Sequence, residues 1–300
     1  MTFTHGKTGE RPGWLPHEEF PFRSRFLDVD GHRLHHVDEG SGPVLLFVVA
    51  GAAWSFVFGP LIERLRGEFR CVALDLPGSG LSRAADGYEP GIEAASAVLE
   101  RFVVALDLRD VTLIVHDLGG VVALGMAGRQ PSRVRAIAVI ETFGWPISGE
   151  NPKVARMLRL VGGRTFGAVN SVTNLLAWAT STSMGVGRHL SPTGRAAFRG
   201  PFRDRGVRRA ALAMLRDATE ADEYLRGVDR ALRTTLRSRP VLLVYGGKSP
   251  VRREGFPDQW RERFPKARLV VFDGAHHFPQ MDEPDLVADA VRSWFTEEVA

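Results

Sequence analysis

The sequence predicts an α/β protein built on a mostly parallel sheet flanked by helices. Three observations carry that expectation. Short, mostly apolar runs recur along the chain at 44–49, 71–76, 111–116, 134–141, 241–245 and 268–272, and helical patterns separate most of them. The 300 residues, 44% hydrophobic and 25% charged, have the proportions of an ordinary globular protein. Runs of this length without polar alternation read as strands buried on both faces, and their alternation with helices predicts parallel pairing.

The elements follow in chain order. Segments 24–30 and 32–38, joined through Asp30-Gly31, read as an antiparallel hairpin at the sheet edge. Run 44–49 opens a stretch, Gly42 to Ile62, that has no charged residue. Pro43 and Pro60 limit it to roughly 16 residues, or about 24 Å as a helix, short of the roughly 30 Å hydrocarbon core. A buried strand followed by an apolar loop is therefore expected. Helices are expected at 92–105, 118–129, 256–264 and 284–295. Between Trp145 and about Leu232 the strand signal disappears, and amphipathic segments at 154–161, 173–179 and 207–215 predict a helical insertion. The expected organisation is a core from 1–144 and 233–300, interrupted by the helical segment 145–232.

Composition excludes several classes. The formal charge is only +4, with 39 Lys and Arg against 35 Asp and Glu, which gives no footprint for a nucleic-acid partner. Arg195, Arg199, Arg203, Arg205, Arg208 and Arg209 read as a solvated helical face, since Asp204 and Asp217 are interleaved with them. The one cysteine, Cys71, rules out an internal disulfide and a Cys-built zinc site. His and carboxylate spacing offers no ligand cluster, so neither metal nor cofactor is expected. Gly247-Lys248-Ser249 is no phosphate loop, because Leu242 stands where its first glycine belongs. The first 22 residues carry charges, Gly and Pro where a signal peptide needs an apolar run, so a cytoplasmic protein with no membrane partner is expected.

The chemistry gathers at two loops. Run 111–116 passes into Asp117-Leu118-Gly119-Gly120 and then a helix rich in small residues. A side chain at the tip of such a strand-to-helix turn is lifted toward solvent, while backbone N–H groups at the new helix end point at the same spot. An aspartate N-cap would fit the local pattern equally well. The second loop, Asp273-Gly274-Ala275-His276-His277-Phe278, follows the last strand. Both loops leave the carboxyl ends of parallel strands, so His277 converges on Asp117.

Asp75-Leu76-Pro77-Gly78-Ser79-Gly80-Leu81-Ser82, His116-Asp117-Leu118-Gly119-Gly120 and Gly274-Ala275-His276-His277-Phe278, in this order, resemble the α/β-hydrolase fold and, within it, the haloalkane dehalogenase and epoxide hydrolase group. The resemblance runs from about Phe26 to the end. It implies an eight-stranded, mostly parallel sheet with an inserted helical cap, whose stretch from Leu190-Ser191 through Gly200-Pro201-Phe202 looks like dehalogenase caps. It also implies Asp117 as nucleophile and His277, which precedes Phe278, as base. The usual place for the third member holds Ser249, which cannot compensate an imidazolium's charge. A subset of dehalogenases places the acid one strand earlier, where Glu141 stands; a carboxylate bound to local backbone is the plainer reading, and Asp273 and Asp282 are weaker substitutes.

An aspartate at the turn implies attack on an sp³ carbon with formation of an alkyl ester, which water activated by His277 would hydrolyse. The backbone N–H groups of Leu118 and of a residue near Gly51 or Ala52 would stabilise the oxyanion. The sequence departs from the family at the leaving group. Leu118 stands where a Trp usually follows the nucleophile, and Val49-Ala50-Gly51-Ala52-Ala53 lacks the family's Asn. An uncompensated buried halide costs several kcal/mol. Trp54, Trp145 and Trp178 are the substitute donors, each with core or cap packing as the plainer role, and Phe278 joins them in the expected pocket. Epoxide opening would need an acid, and of the tyrosines Tyr88, Tyr224 and Tyr245 none lies between Trp145 and Glu223, which leaves Tyr224, with helical packing as its plainer role, or a cap-bound water as the donor. The expected partner is a small apolar molecule. The alternatives are an epoxide hydrolase and a relative that binds a ligand without turnover.

Overall fold

The computed structural model describes residues 11–183 and 185–300; the first ten residues of the N-terminal segment discussed above lie outside the described residues. Eight strands form one sheet: β1 (Arg25–Val29), β2 (His32–Glu39), β3 (Val44–Val49), β4 (Arg70–Leu74), β5 (Val111–His116), β6 (Val134–Ile140), β7 (Val241–Gly246) and β8 (Arg268–Phe272). Their spatial order is β1-β2-β4-β3-β5-β6-β7-β8, antiparallel across β1, β2 and β4 and parallel from there on. The hairpin turns at Asp30 and Gly31, both at positive φ.

Helices fill the two faces and the ends. α1 (Gly59–Leu65) follows β3, so the charge-free stretch is a strand, a short 3₁₀ turn (Ser55–Phe58) and a buried helix, not strand and loop alone. α2 (Ile92–Ala105) and α3 (Leu118–Arg129) flank β5. After β6 come α4 (Ile147–Glu150), α5 (Pro152–Gly162), α6 (Arg164–Thr173), α7 (Leu175–Thr180), α8 (Pro192–Arg199), α9 (Arg205–Glu220) and α10 (Asp222–Arg233). The chain then re-enters the sheet at β7 and continues through α11 (Pro250–Arg253), α12 (Phe256–Arg263), β8, α13 (Pro279–Asp282) and α14 (Pro284–Trp294). No helix among the described residues is long and apolar enough to cross a membrane.

Four further expectations are corrected. Segment 173–179 is two helices, because Asn174 sits at φ 56° and breaks the run. β4 ends at Leu74, since the Asp75 carboxylate turns inward to accept the Ser55 and Leu81 backbone N–H groups and to meet His35. β6 ends at Ile140, and Glu141 leaves the sheet at φ 51°. β8 is an edge strand with only β7 beside it, so all five residues are half-buried.

One consequence of register positions the chemistry. Val49 of β3 lies opposite His116 of β5, His116 opposite Ile140 of β6, and Ile140 opposite Val244 of β7. Ala50, Asp117 and Glu141 therefore leave neighbouring strands at one level, at the carboxyl edge of the sheet.

Candidate active site

Asp117 occupies the turn between β5 and α3 at φ 49° and ψ −137°. L-residues rarely adopt such a backbone, and at a functional site it costs about 1–3 kcal/mol. The neighbours hold it there. A Cβ on Gly119 would collide with the Val48 carbonyl oxygen, and one on Gly120 would collide with Thr142 Oγ1, so only glycine lets α3 come this close to β3 and to the segment after β6. Thr142 Oγ1 donates to the Asp117 carbonyl at 2.5 Å. The Asp117 side chain makes no N-cap hydrogen bond to α3 of the ordinary kind and remains 30% exposed.

His277 stands opposite. Its Nε2 lies 3.8 Å from Asp117 Oδ2 and its Nδ1 lies 3.5 Å from Glu141 Oε2, both longer than hydrogen bonds but close enough for strong charge interaction. Burial alone would lower the pKa of the imidazolium; the carboxylates of Asp117 and Glu141 outweigh it and raise it to about 10. For Asp117, burial opposes ionisation, but His277, His116 and the Leu118 N–H prevail and hold the carboxyl below its usual range. The backbone of His277 is tied to the end of β5: His116 Nε2 donates to the His277 carbonyl at 2.8 Å. Burial first, and then the neighbouring His277, push His116 down to about 3, which keeps it neutral.

Glu141 is buried, and both of its oxygens are engaged. Oε1 accepts from the Gly246 N–H at 2.6 Å, and Oε2 accepts from Ser249 Oγ at 2.5 Å. Ser249, set aside on the sequence as unable to balance a cation, instead donates to the carboxylate that does. Thr142, His116 and Ser249 are thus site residues that sequence reasoning missed. Ser249 left a signal as a hydroxyl in the place discussed for the third member, and His116 as the first residue of the motif that holds Asp117; Thr142 left none.

The remaining expected residues divide. Gly51, at φ +79°, faces the carboxylate: its added Cβ would lie 3.9 Å from Asp117 Oδ2 and 3.6 Å from Leu118 Cδ1. Ala50 and Gly51 border a small cleft with Leu76 to Ser79, roofed by Val207, Ala210, Ala211 and Met214 of α9. Leu118 is buried and Ala52 is half-buried beside Gly51. Phe278 is buried, its ring 4.6 Å from that of His116 and 5.2 Å from that of His277, so it backs the imidazole.

The indole donors are not brought to the site. Trp54 Nε1 donates to the Phe198 carbonyl at 2.9 Å and Trp145 Nε1 to Asn151 Oδ1 at 3.1 Å. Trp178 is 57% exposed in an outer groove with Arg195 and Arg199. Nor does a tyrosine arrive. The Tyr224 hydroxyl donates to the Val121 carbonyl and that of Tyr245 to the Thr142 carbonyl, while Tyr88 packs edge-on against His32.

Comparisons with known proteins bear on the family and the fold. The alpha/beta hydrolase fold family matches residues 43–284. "Haloalkane dehalogenase 2" of Mycobacterium bovis is 30% identical over 282 residues, covering 91% of this chain and 94% of the relative. "Cis-3-alkyl-4-alkyloxetan-2-one decarboxylase" of Shewanella oneidensis is 27% identical over 292 residues, covering 92% and 89%. The crystal structure of the haloalkane dehalogenase DatA from Agrobacterium tumefaciens C58 superposes with a TM-score of 0.78 at 23% identity, covering 93% of this chain and 97% of that one. The sheet order, the turn at Asp117 and these likenesses together make the chain a member of the α/β-hydrolase fold family, related to the haloalkane dehalogenases.

Proposed function

We propose that the protein is a hydrolase in which Asp117 is the nucleophile, His277 the base and Glu141 the acid that orients it, acting on a small apolar molecule with an electrophilic sp³ carbon. The segment 145–232 serves as a cap over the core formed by 1–144 and 233–300. The observation that supports this reading is the placement of one imidazole between two carboxylates, 3.8 Å and 3.5 Å away, at the carboxyl edge of the sheet.

An ionised Asp117 oxygen attacks the carbon without prior deprotonation, and the leaving group departs with its bonding pair. The resulting ester is neutral. Esterification thus removes one of the two charges that hold the proton on His277, and the pKa of the imidazole falls toward the range of a base. The imidazolium gives its proton to solvent, and neutral His277 then takes a proton from the attacking water through Nε2 while the oxygen adds to Asp117 Cγ. The oxyanion lies by the Leu118 N–H and the backbone at Gly51 and Ala52. Collapse releases the alcohol and restores the carboxylate.

A second reading concerns the leaving group. With the indoles of Trp54 and Trp145 engaged elsewhere, the site favours a leaving group that delocalises its own charge. A strained cyclic ester opened at its sp³ C–O bond leaves as a carboxylate, and one relative is named for acting on an oxetan-2-one. The test is intact-protein mass after incubating wild type, His277→Gln and Asp117→Asn with panels of haloalkanes, epoxides and oxetan-2-ones. A stoichiometric adduct is expected in His277→Gln and none in Asp117→Asn. Released halide, diol or β-hydroxy acid identifies the substrate class; reversible binding without any adduct would favour a non-hydrolytic binding protein.

A further inference from the structure

The small whole-chain charge conceals a segregation. Residues 151–216 hold twelve Lys and Arg against one acid, Asp204, while the rest of the chain holds 27 against 34. Some of the twelve are engaged. Lys153 and Arg216 pair with Glu254 and Glu220, Arg188 and Arg195 are held by backbone carbonyls, and Arg208 is buried on others. The other seven, among them Arg156, Arg159, Arg199 and Arg203, have no carboxylate partner among the described residues.

Apolar exposure is concentrated in the same segment. Eight large hydrophobic side chains are exposed among the described residues, and six of them are Met157, Leu160, Val169, Val172, Leu175 and Trp178 on the consecutive helices α5, α6 and α7. Val172 is 78% exposed and Leu160 68%. Single exposed hydrophobics need no explanation, but most of a molecule's set on three successive helices mark an interaction face. Trp178 lies in one shallow groove with Arg195 and Arg199 and borders another with Arg199 and Arg203.

The occupant must accept unpaired arginines and bare apolar side chains together. A second copy docking through this face would oppose two strongly positive surfaces. Nucleic acid would meet the arginines but leave Leu160, Val172 and Leu175 without partners. An anionic lipid surface meets both: headgroup phosphates take the guanidinium groups, the acyl boundary takes the aliphatic side chains, and the indole of Trp178 suits the interface between them. We propose that α5 to α7, with the adjoining arginines of α8 and α9, form a docking face on which the protein lies peripherally on anionic lipid. The described residues bear on the expectation of no membrane partner only in that no helix is long and apolar enough to span a membrane.

The test is sedimentation with vesicles of phosphatidylcholine alone or mixed with phosphatidylglycerol, together with the emission of Trp178. Wild type is expected to sediment with the mixed vesicles at low salt, to be released by high salt, and to show a blue-shifted emission that Trp178→Phe lacks. The triple variant Arg156→Glu, Arg159→Glu, Arg203→Glu should bind about 100-fold or more weakly, and Val172→Ser with Trp178→Ser roughly 10-fold more weakly. These positions are at the surface, and unchanged circular dichroism and melting confirm that the variants fold. Equal binding to neutral vesicles, binding that the substitutions do not weaken, or no binding at all would overturn the proposal. So would concentration-dependent self-association abolished by the same substitutions, since the occupant would then be a second copy.

Discussion

At His277, a single proton is governed by two carboxylates of unequal accessibility. Asp117 is partly open to an incoming molecule, whereas Glu141 is buried and anchored by the Gly246 N–H and Ser249. Removing the charge of Asp117 alone should reproduce the electrostatics of the esterified state. In Asp117→Asn the pKa of His277 is therefore expected to fall well below about 10, and side-chain NMR titration of the imidazole reads it directly. An unchanged titration would mean that the ring and the two carboxylates are not coupled as described. Ser249 acts through Glu141. Its loss in Ser249→Ala frees Oε2 and leaves a buried carboxylate less well compensated, costing about 1–3 kcal/mol of stability and moving the pH profile of ester hydrolysis. Thr substitution, which keeps the hydroxyl, should restore the profile, a recovery that a purely steric role would not give.

Elements set what residues cannot. α3 approaches β3 so closely that a methyl group on Gly119 would meet the backbone at Val48 and Val49, neither of which can move without disturbing the register with β5. Gly119→Ala is accordingly expected to destabilise the fold by about 1–3 kcal/mol or more and to impair adduct formation by shifting Asp117. Thermal unfolding and the mass assay check the two effects separately. Much at this scale could be read from the chain: the two glycines after Asp117 and the apolar run before it specify a tight strand-to-helix turn. The break at Asn174 could not, because an apolar pattern of helical period is the same whether or not one residue adopts a left-handed backbone. Nor could the depth of β8, since an edge and a central strand share the same residue types and differ only in how many neighbours they have.

For the whole molecule, two histidines of opposite shift, the half-buried His277 and the buried His116, shape stability against pH. His277 is raised from 6.5 to about 10, so its contribution is complete below about pH 6.5 and is lost as pH rises through 10. His116 is lowered from 6.5 to about 3; the unfolded chain takes up its proton first, so stability falls as pH drops from 6.5 toward 3. The melting temperature should therefore decline on both sides of neutrality as far as these two groups govern it. His277→Gln should flatten the alkaline decline and leave the acid one, as calorimetry across pH would show.

The sequence by itself determined the class of fold, the strand that leads into Asp117, and the approach of His277 to that residue, because these depend on local pattern and on the shared edge of a parallel sheet. The approach of Glu141 to His277 was legible only through a resemblance, since nothing local distinguishes such a carboxylate from any other at a strand end. Only the tertiary structure decided that Ser249 donates to Glu141, that Thr142 braces the turn at Asp117, and that Trp54 and Trp145 spend their N–H groups on Phe198 and Asn151. The physical reason is that a hydrogen-bonding side chain does not carry the identity of its partner in its own residue type. Partners up to 144 positions away are chosen by how the strands and helices pack.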